Sequence, residues 1–461
     1  MVSFILPGNS ATGGYDVANS LRFNSGSSDS LTRSTTAGNR TTWTFSTWFK
    51  RSKLGVLQSI LEHDDANYFR IRITSGDVFE VFDSNGNNTW NWHGVLRDTS
   101  SWYSIILRGD STDGTNNNRL RLYINGTLAS ANTVASISQN YTFSFNQGGT
   151  LQIGKRGSTD YLDGYLAETI LIDGSALAPD QFGEFDSDSG IWKPIDVSGL
   201  TFGDEGFYLD FDNSGALGAD VSGNGNNFTV NNLTSVDQST DTCTNNFATG
   251  NPIASQAGSA QSNSLLTFSE GNLLMADNSE TGIANFGLSS GKWFWEVKVI
   301  ADQDGLIIGA CNEHFNINAE LGYNSPASAT GAKAFGYYGG NGTATVSVDD
   351  GSGFGSYGSA IAVNNIVSVA LDLDSADQSC TFYLNGSSQG ALDITNLSSG
   401  ESYFPAVGNW SVSDVSTSWN FGSPQYSESG GNSDGNGYGN FSMAVPSGYY
   451  ALNTKNLAEY G

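Results

Sequence analysis

Two runs of acids are spaced for carboxylate chemistry: Glu62-His63-Asp64-Asp65-Ala66-Asn67 and Glu184-Phe185-Asp186-Ser187-Asp188. Alternate residues of a β-strand share one face. Acids two apart could therefore supply the nucleophile and the proton donor that retaining glycoside hydrolysis needs about 5–5.5 Å apart. Both runs fall short: the first lacks a closing acid, and the second lies in a Gly/Asp/Ser-rich stretch that reads as a loop. No catalytic residue is assigned, and the chain is read as not an enzyme. The histidines are His63, His93 and His314, none beside a serine or cysteine pattern that suggests a nucleophile. Cys311 and His314 are close in sequence by incident. Gly339-Gly-Asn-Gly has neither a lysine nor a helix signal after it, so it is a turn and not a phosphate loop.

Recognition chemistry has a better candidate. Sugars bind to aromatic rings flanked by amides or carboxylates, and Asn88-Thr-Trp90-Asn-Trp92-His93 offers that mixture. Trp90 and Trp92 would share one strand face. Core packing of the two tryptophans competes with that reading and is preferred.

The elements that must position these residues are strands. Helical periodicity is nearly absent; short runs of β-branched or aromatic residues alternate with polar ones and close on Asn-Gly, Asp-Gly or Ser-Gly. In the first half they are Thr42–Lys50, Tyr68–Thr74, Val78–Phe82, Trp102–Leu107 and Arg119–Asn125. In the second they are Trp293–Val299, Leu306–Ala310, Ala334–Tyr338, Ile366–Leu373, Thr381–Asn385 and Ser416–Phe421. Arg121-Leu-Tyr-Ile-Asn-Gly and Thr381-Phe-Tyr-Leu-Asn-Gly echo one another, and Asn125-Gly126 predicts a type I′ hairpin turn. The pattern predicts an all-β protein of two tandem antiparallel β-sandwiches, or jelly rolls, with an ordered connector.

Composition agrees. The chain has 461 residues, 38% apolar and 12% aromatic, which suits two domains with large cores. Its 57 glycines follow no collagen period and punctuate the apolar runs. Acids outnumber bases 46 to 19, for a formal net charge of −27. Such a surface repels phosphate backbones and anionic lipid, so neither nucleic-acid binding nor membrane insertion is expected. Cys243, Cys311 and Cys380 are widely spaced and read as packed or free thiols. Met1–Pro7 has no basic region and too short an apolar run for a signal peptide, and no stretch is long enough to span a bilayer. Synthesis in a cytoplasm is expected, with the outside reached by assembly or lysis.

Ordered motifs carry resemblances to known families. Thr44-Phe-Ser-Thr-Trp-Phe-Lys, Trp102-Tyr-Ser-Ile-Ile-Leu, Leu122-Tyr-Ile-Asn-Gly and Leu151-Gln-Ile-Gly…Tyr161-Leu-Asp-Gly-Tyr-Leu-Ala-Glu resemble laminin G-like domains of the concanavalin A-like superfamily. Gly291-Lys-Trp-Phe-Trp-Glu-Val, Ile307-Ile-Gly-Ala, Phe335-Gly-Tyr-Tyr, Thr381-Phe-Tyr-Leu-Asn-Gly and Tyr403-Phe-Pro-Ala-Val resemble SPRY domains. The joining stretch, with Gly190-Ile-Trp-Lys-Pro, Asp220-Val-Ser-Gly-Asn-Gly-Asn-Asn-Phe and Asp241-Thr-Cys-Thr-Asn-Asn-Phe, resembles a family of tailed-phage virion proteins, often tail-fibre-like, that join both modules in this order. The expected organisation is an N-terminal segment over 1–17, a laminin G-like sandwich over 18–197, a connector over 198–263 and a SPRY-like sandwich with a C-terminal tail over 264–461.

The resemblances imply further residues and a setting. Laminin G-like domains often hold calcium at the sandwich rim through Asp side chains, which makes Asp64, Asp65, Asp160 and Asp163 the candidates, with solvated turn acids the competing reading. Tyr337, Tyr338 and Trp410 are candidates to border the loop surface with which SPRY modules hold partners. The phage resemblance implies a homo-oligomeric component of the virion surface, on tail or capsid, that binds other virion proteins or host-surface glycans. A virion-borne polysaccharide depolymerase is the alternative, and a bacterial surface lectin a third reading.

Overall fold

A computed structural model describes residues 14–461 except 93, 135, 256–265, 278–280, 316–320, 322–331, 340–344, 349–352, 396–400 and 410–414. Two compact units divide at Asn246/Phe247.

The strands of the first unit, in chain order, are β1 (Ser20–Phe23), β2 (Ser30–Thr35), β3 (Thr42–Arg51), β4 (Gln58–Asp64), β5 (Tyr68–Ile73), β6 (Phe79–Asp83), β7 (Asn88–Trp92), β8 (Trp102–Asp110) and β9 (Leu120–Ile124). They continue as β10 (Thr127–Leu128), β11 (Ala131–Val134), β12 (Gly149–Ile153), β13 (Gly164–Asp173), β14 (Gly183–Phe185), β15 (Trp192–Pro194), β16 (Phe207–Leu209), β17 (Thr229–Asn231) and β18 (Gln238–Ser239). One antiparallel sheet runs β10-β9-β8-β3-β13-β1-β18, with β16 also on β13; the other runs β11-β7-β6-β5-β4-β12-β2-β17. Between them lies a core that includes Trp43, Phe45, Phe49, Phe69, Ile71, Ile105, Leu107 and Leu166.

The alternation Trp43-x-Phe45-x-x-x-Phe49 sends one face of β3 into that core. The opposite face is buried too: Trp48, with Trp102, Ile106, Tyr165 and Ile170 of neighbouring strands, packs under Val17, Phe182, Trp192, Phe202, Tyr208 and Cys243. Residues 198–246, part of the stretch read from sequence as a connector, thus belong to this unit, adding three strands and part of a second apolar layer. Lys50 anchors that layer. Its Nζ, wholly buried, lies 2.6 Å from Asp241 Oδ2 and 2.7 Å from Asn246 Oδ1, and Trp102 Nε1 donates to the other Asp241 oxygen at 3.1 Å.

The second unit pairs Lys292–Ala301 with both Ile366–Asp372 and Val415–Asn420, and pairs Leu306–Asn312 with both Ala334–Tyr338 and Tyr403–Asn409, all antiparallel. Trp293, Trp295, Ile308, Phe335, Phe382 and Trp419 fill the core of these two sheets. The fold is thus all-β, in tandem sandwiches. Both echoed hairpins turn as their Asn-Gly pairs require: φ is +48° and +72° at Asn125 and Gly126, and +49° and +80° at Asn385 and Gly386. Among the described residues, no helix is long and apolar enough to cross a membrane.

Candidate functional site

The side of the first sandwich holds a cleft of about 340 Å3, lined by Trp90, Trp92, Asn116, Arg121, Leu128 and Ser130 among others. It forms where the two sheet edges meet. β9 and β10 end one sheet, β11 ends the other, and the chain crosses between them at Ala129 and Ser130. β7 lies next to β11, with Trp92 opposite Ala131 and Trp90 opposite Val134. The two tryptophans, 2% and 4% exposed, belong to the core and give the cleft its floor. Trp92 meets the ring of Phe79 edge-on at 5.8 Å. Leu128, 51% exposed, is an apolar wall open to solvent.

The polar rim is held by its own hydrogen bonds. Arg119 donates to the carbonyls of Asp113 and Gly114 at 2.8 and 3.2 Å, and to that of Ile137. Asn116 Oδ1 accepts from Ile137 N at 2.9 Å. Arg121 donates to Asn118 Oδ1, whose amide nitrogen reaches the Asp113 carboxylate at 3.2 and 3.3 Å. The cleft therefore combines an apolar wall, a tryptophan floor, side-chain amides and a guanidinium. That chemistry fits a small ligand with one apolar face and polar edges, and the volume lies within the roughly 300–1,000 Å3 of small-molecule sites.

The other residues expected from sequence are dispersed. His93 and Trp410 lie outside the described residues. Tyr337 is in the second core, its hydroxyl donating to the Ser359 carbonyl and its ring meeting Tyr357 edge-on at 5.4 Å. Tyr338 is 9% exposed and packs on the other face of that strand with Ile307 and Phe404. Neither presents a ring on the surface.

The four candidate calcium ligands stand at opposite ends of β4. Asp64 and Asp65 are exposed at its C-terminal end. At the other end the Asp160 carbonyl accepts from Ser59 N at 2.9 Å, and the Asp160 side chain pairs with Arg156 at 2.7 Å. Asp163 accepts from Ser25 N at 2.8 Å and faces Lys53 at 3.6 Å. Five strand residues at about 3.3 Å each separate Ser59 from Asp64 by roughly 17 Å, too far for one cation. Among the described residues, no three His, Cys, Asp or Glu groups converge as a metal site, so these four acids do not fit a shared calcium.

The carboxylate runs are engaged otherwise. Glu62, 1% exposed, accepts from Arg70 Nε at 2.6 Å and from Gly157 N at 2.9 Å. Glu184 and Asp186 share Lys193 at 3.3 and 3.4 Å. Hydrogen bonds from the Ser189 backbone and hydroxyl hold the Asp186 carboxyl down at about 2.

Two features escaped sequence reasoning. On the outer face of β4–β6, Arg70 pairs with Glu62 and lies 3.8 Å from the Tyr68 ring centre, Arg72 pairs with Glu80, and Tyr68 stacks on Phe82 at 5.7 Å. The alternation Tyr68-x-Arg70-x-Arg72 was the available signal. The second is Glu168, buried in β13 at φ +48°, where the ladder to β3 slips between Ala167 and Ile170. Its Oε2 accepts from Tyr208 OH at 2.7 Å and Tyr15 OH at 3.5 Å. Burial pushes its carboxyl up to about 8. A proton donor of that strength could act as a general acid, but Glu168 is 4% exposed and lies beneath the second apolar layer.

A family model described as the Concanavalin A-like lectin/glucanases superfamily (Laminin_G_3) matches residues 24–181, less than half the chain. Among solved structures, a native heptameric SAP-like pentraxin from Limulus polyphemus is 16% identical, with a TM-score of 0.28 over 36% of this chain and 82% of its own. The SPRY domain of human HERC1 is 12% identical, with a TM-score of 0.25 over 32% and 87%. A further human SPRY domain is 15% identical, with a TM-score of 0.24 over 34% and 93%. No curated protein sequence matches the chain.

Proposed function

We propose that this chain is a non-enzymatic recognition protein of a tailed-phage virion surface, and that the edge cleft of its first sandwich holds a host-surface glycan. The cleft carries the reading: Leu128 offers exposed apolar surface backed by the buried Trp90 and Trp92, while Asn116 and Arg121 offer donors. A sugar ring has the same two-sided character, with apolar C–H faces and a polar hydroxyl rim. The concanavalin A-like match at 24–181 is compatible with binding and does not choose the ligand. The virion setting rests on the ordered joining motifs from Gly190-Ile-Trp-Lys-Pro to Asp241-Thr-Cys-Thr-Asn-Asn-Phe.

A binding role without hydrolysis is supported by the engagement of Glu62 with Arg70 and of Glu184 with Lys193. Retaining hydrolysis needs two carboxyls facing a substrate, whereas Glu62 and Glu184 are each engaged by a cation.

Two measurements test the proposal. Mass spectrometry of purified particles should find the chain, and its absence would refute the virion setting. Full-length protein should bind host envelope glycans, and Ser130→Trp, at an exposed position on the cleft, should abolish binding without changing the circular dichroism spectrum. Undiminished binding by that variant would refute the assignment to the cleft.

A further inference from the structure

Arg121 stands apart from the other arginines of its unit. Arg22, Arg33, Arg51, Arg70, Arg72, Arg97, Arg108 and Arg156 each pair with a carboxylate. Arg40 and Arg119 are spent on backbone carbonyls. Among the described residues Arg121 donates to the neutral amide oxygen of Asn118 and forms no ion pair, although its charge is felt by the Asp113 carboxylate that Asn118 also holds. It does so on a chain whose acids outnumber its bases 46 to 19, where acidic partners are plentiful. Arg121 is partly buried and lies among the residues that line the cleft, two positions along β9 from Tyr123, which pairs with Leu128.

A guanidinium held against apolar surface is partly stripped of water, and its planar fork matches a carboxylate with two parallel hydrogen bonds. We infer that the cleft selects an acidic sugar: a ring carrying a carboxylate, with the carboxylate on Arg121 and the less polar ring face on the exposed Leu128. Neighbouring donors would take the ring hydroxyls, Asn116 among them. This deepens the proposed glycan reading and depends on it.

The test compares two oligosaccharides of the same linkage, one ending in glucuronic acid and one in glucose, by calorimetry on the full chain. The wild type should prefer the acidic sugar by roughly tenfold or more, the scale of one charged hydrogen-bonded pair. Arg121→Gln should lose that preference, whatever it costs in affinity for the neutral sugar, and Arg121→Lys should retain part of it. Unchanged hydrogen-exchange protection of β8 and β9 would show that both variants fold. Equal binding of the two sugars by the wild type, or an acidic preference that survives in Arg121→Gln, would overturn the inference and leave the glycan reading standing. If the wild type binds neither these sugars nor any host glycan, the glycan reading falls and takes this inference with it.

Discussion

Replacing Glu168 by glutamine should remove a pH dependence from the first unit. Glu168 accepts from Tyr208 and Tyr15 in a buried layer with no cation beside it in the described structure, and desolvation lifts its pKa from 4.5 to about 8. The sign follows from proton counting. Below about pH 4.5 the carboxyl is protonated in both states. Between 4.5 and 8 the unfolded chain releases the proton and the folded chain keeps it, so folding loses stability as pH rises. Each unit of pKa difference is worth about 1.4 kcal/mol, so the full span amounts to about 5 kcal/mol, reached by pH 8. Glutamine keeps an oxygen for the Tyr208 hydroxyl and cannot ionise. The stability difference between Glu168→Gln and wild type should therefore grow by about 1 kcal/mol per pH unit from pH 5 to 8, in favour of the variant. Hydrogen-exchange mass spectrometry of β3 and β13 reads this locally, without requiring the whole chain to unfold in one step. A difference that stays flat over that range would refute the reasoning, because it would mean that Glu168 is already ionised in the folded protein.

His63 should act in the opposite direction. Its Nδ1 accepts from Asn146 N at 2.8 Å, so its proton sits on Nε2, 3.0 Å from Thr35 Oγ1, and burial pushes its pKa down to about 4. Stability held above pH 6.5 should drain as pH falls toward 4, by about 3 kcal/mol. His63→Asn should flatten that part of the acid-unfolding profile, and an unaltered slope would count against a neutral buried imidazole. Lys50→Met should cost about 3–5 kcal/mol, because it strands the buried Asp241 carboxylate. Adding Asp241→Leu to Lys50→Met should recover most of that loss, which urea titration would show; no recovery would mean that the pair does not act as a unit.

What could be read from the sequence was local. The strand Thr42–Lys50 is observed as Thr42–Arg51 and Trp293–Val299 as Lys292–Ala301, because alternation along a strand needs no knowledge of its neighbours. Both Asn-Gly turns were legible for the same reason. What escaped was set by register and layering. Asp64 and Asp160 look like companions in two rim loops, yet the β4–β12 pairing carries Asp64 opposite Thr150 while Asp160 is fastened to Ser59 at the far end. Trp48 and Lys50 read as an outward face until residues 198–246 and the segment around Trp192 cover them. The Arg70–Glu62 ladder depends on which strand lies beside β5, and Glu168, legible as the acid that closes the laminin G-like motif, shows its burial only when the layer above it is in place.

The same distinction bears on where recognition can occur. On the outer face of β4–β6 each arginine already has its carboxylate, so a ligand there would have to displace an ion pair before gaining one. At the sandwich edge that exchange is unnecessary: Arg121 gives up at most a bond to Asn118, and Leu128 is already exposed. The overall charge of −27 repels anions, but that field fades over a Debye length of about 8 Å at physiological salt. A dense polyanion would have to lie along the repelling surface over many such lengths. On the proposed reading, a single carboxylate at the end of a glycan chain would meet Arg121 at contact distance and expose little further charge to the field. On that reading the apolar wall would supply affinity and the guanidinium choice, so that an acidic protein could recognise an acidic terminus without becoming a general binder of anions.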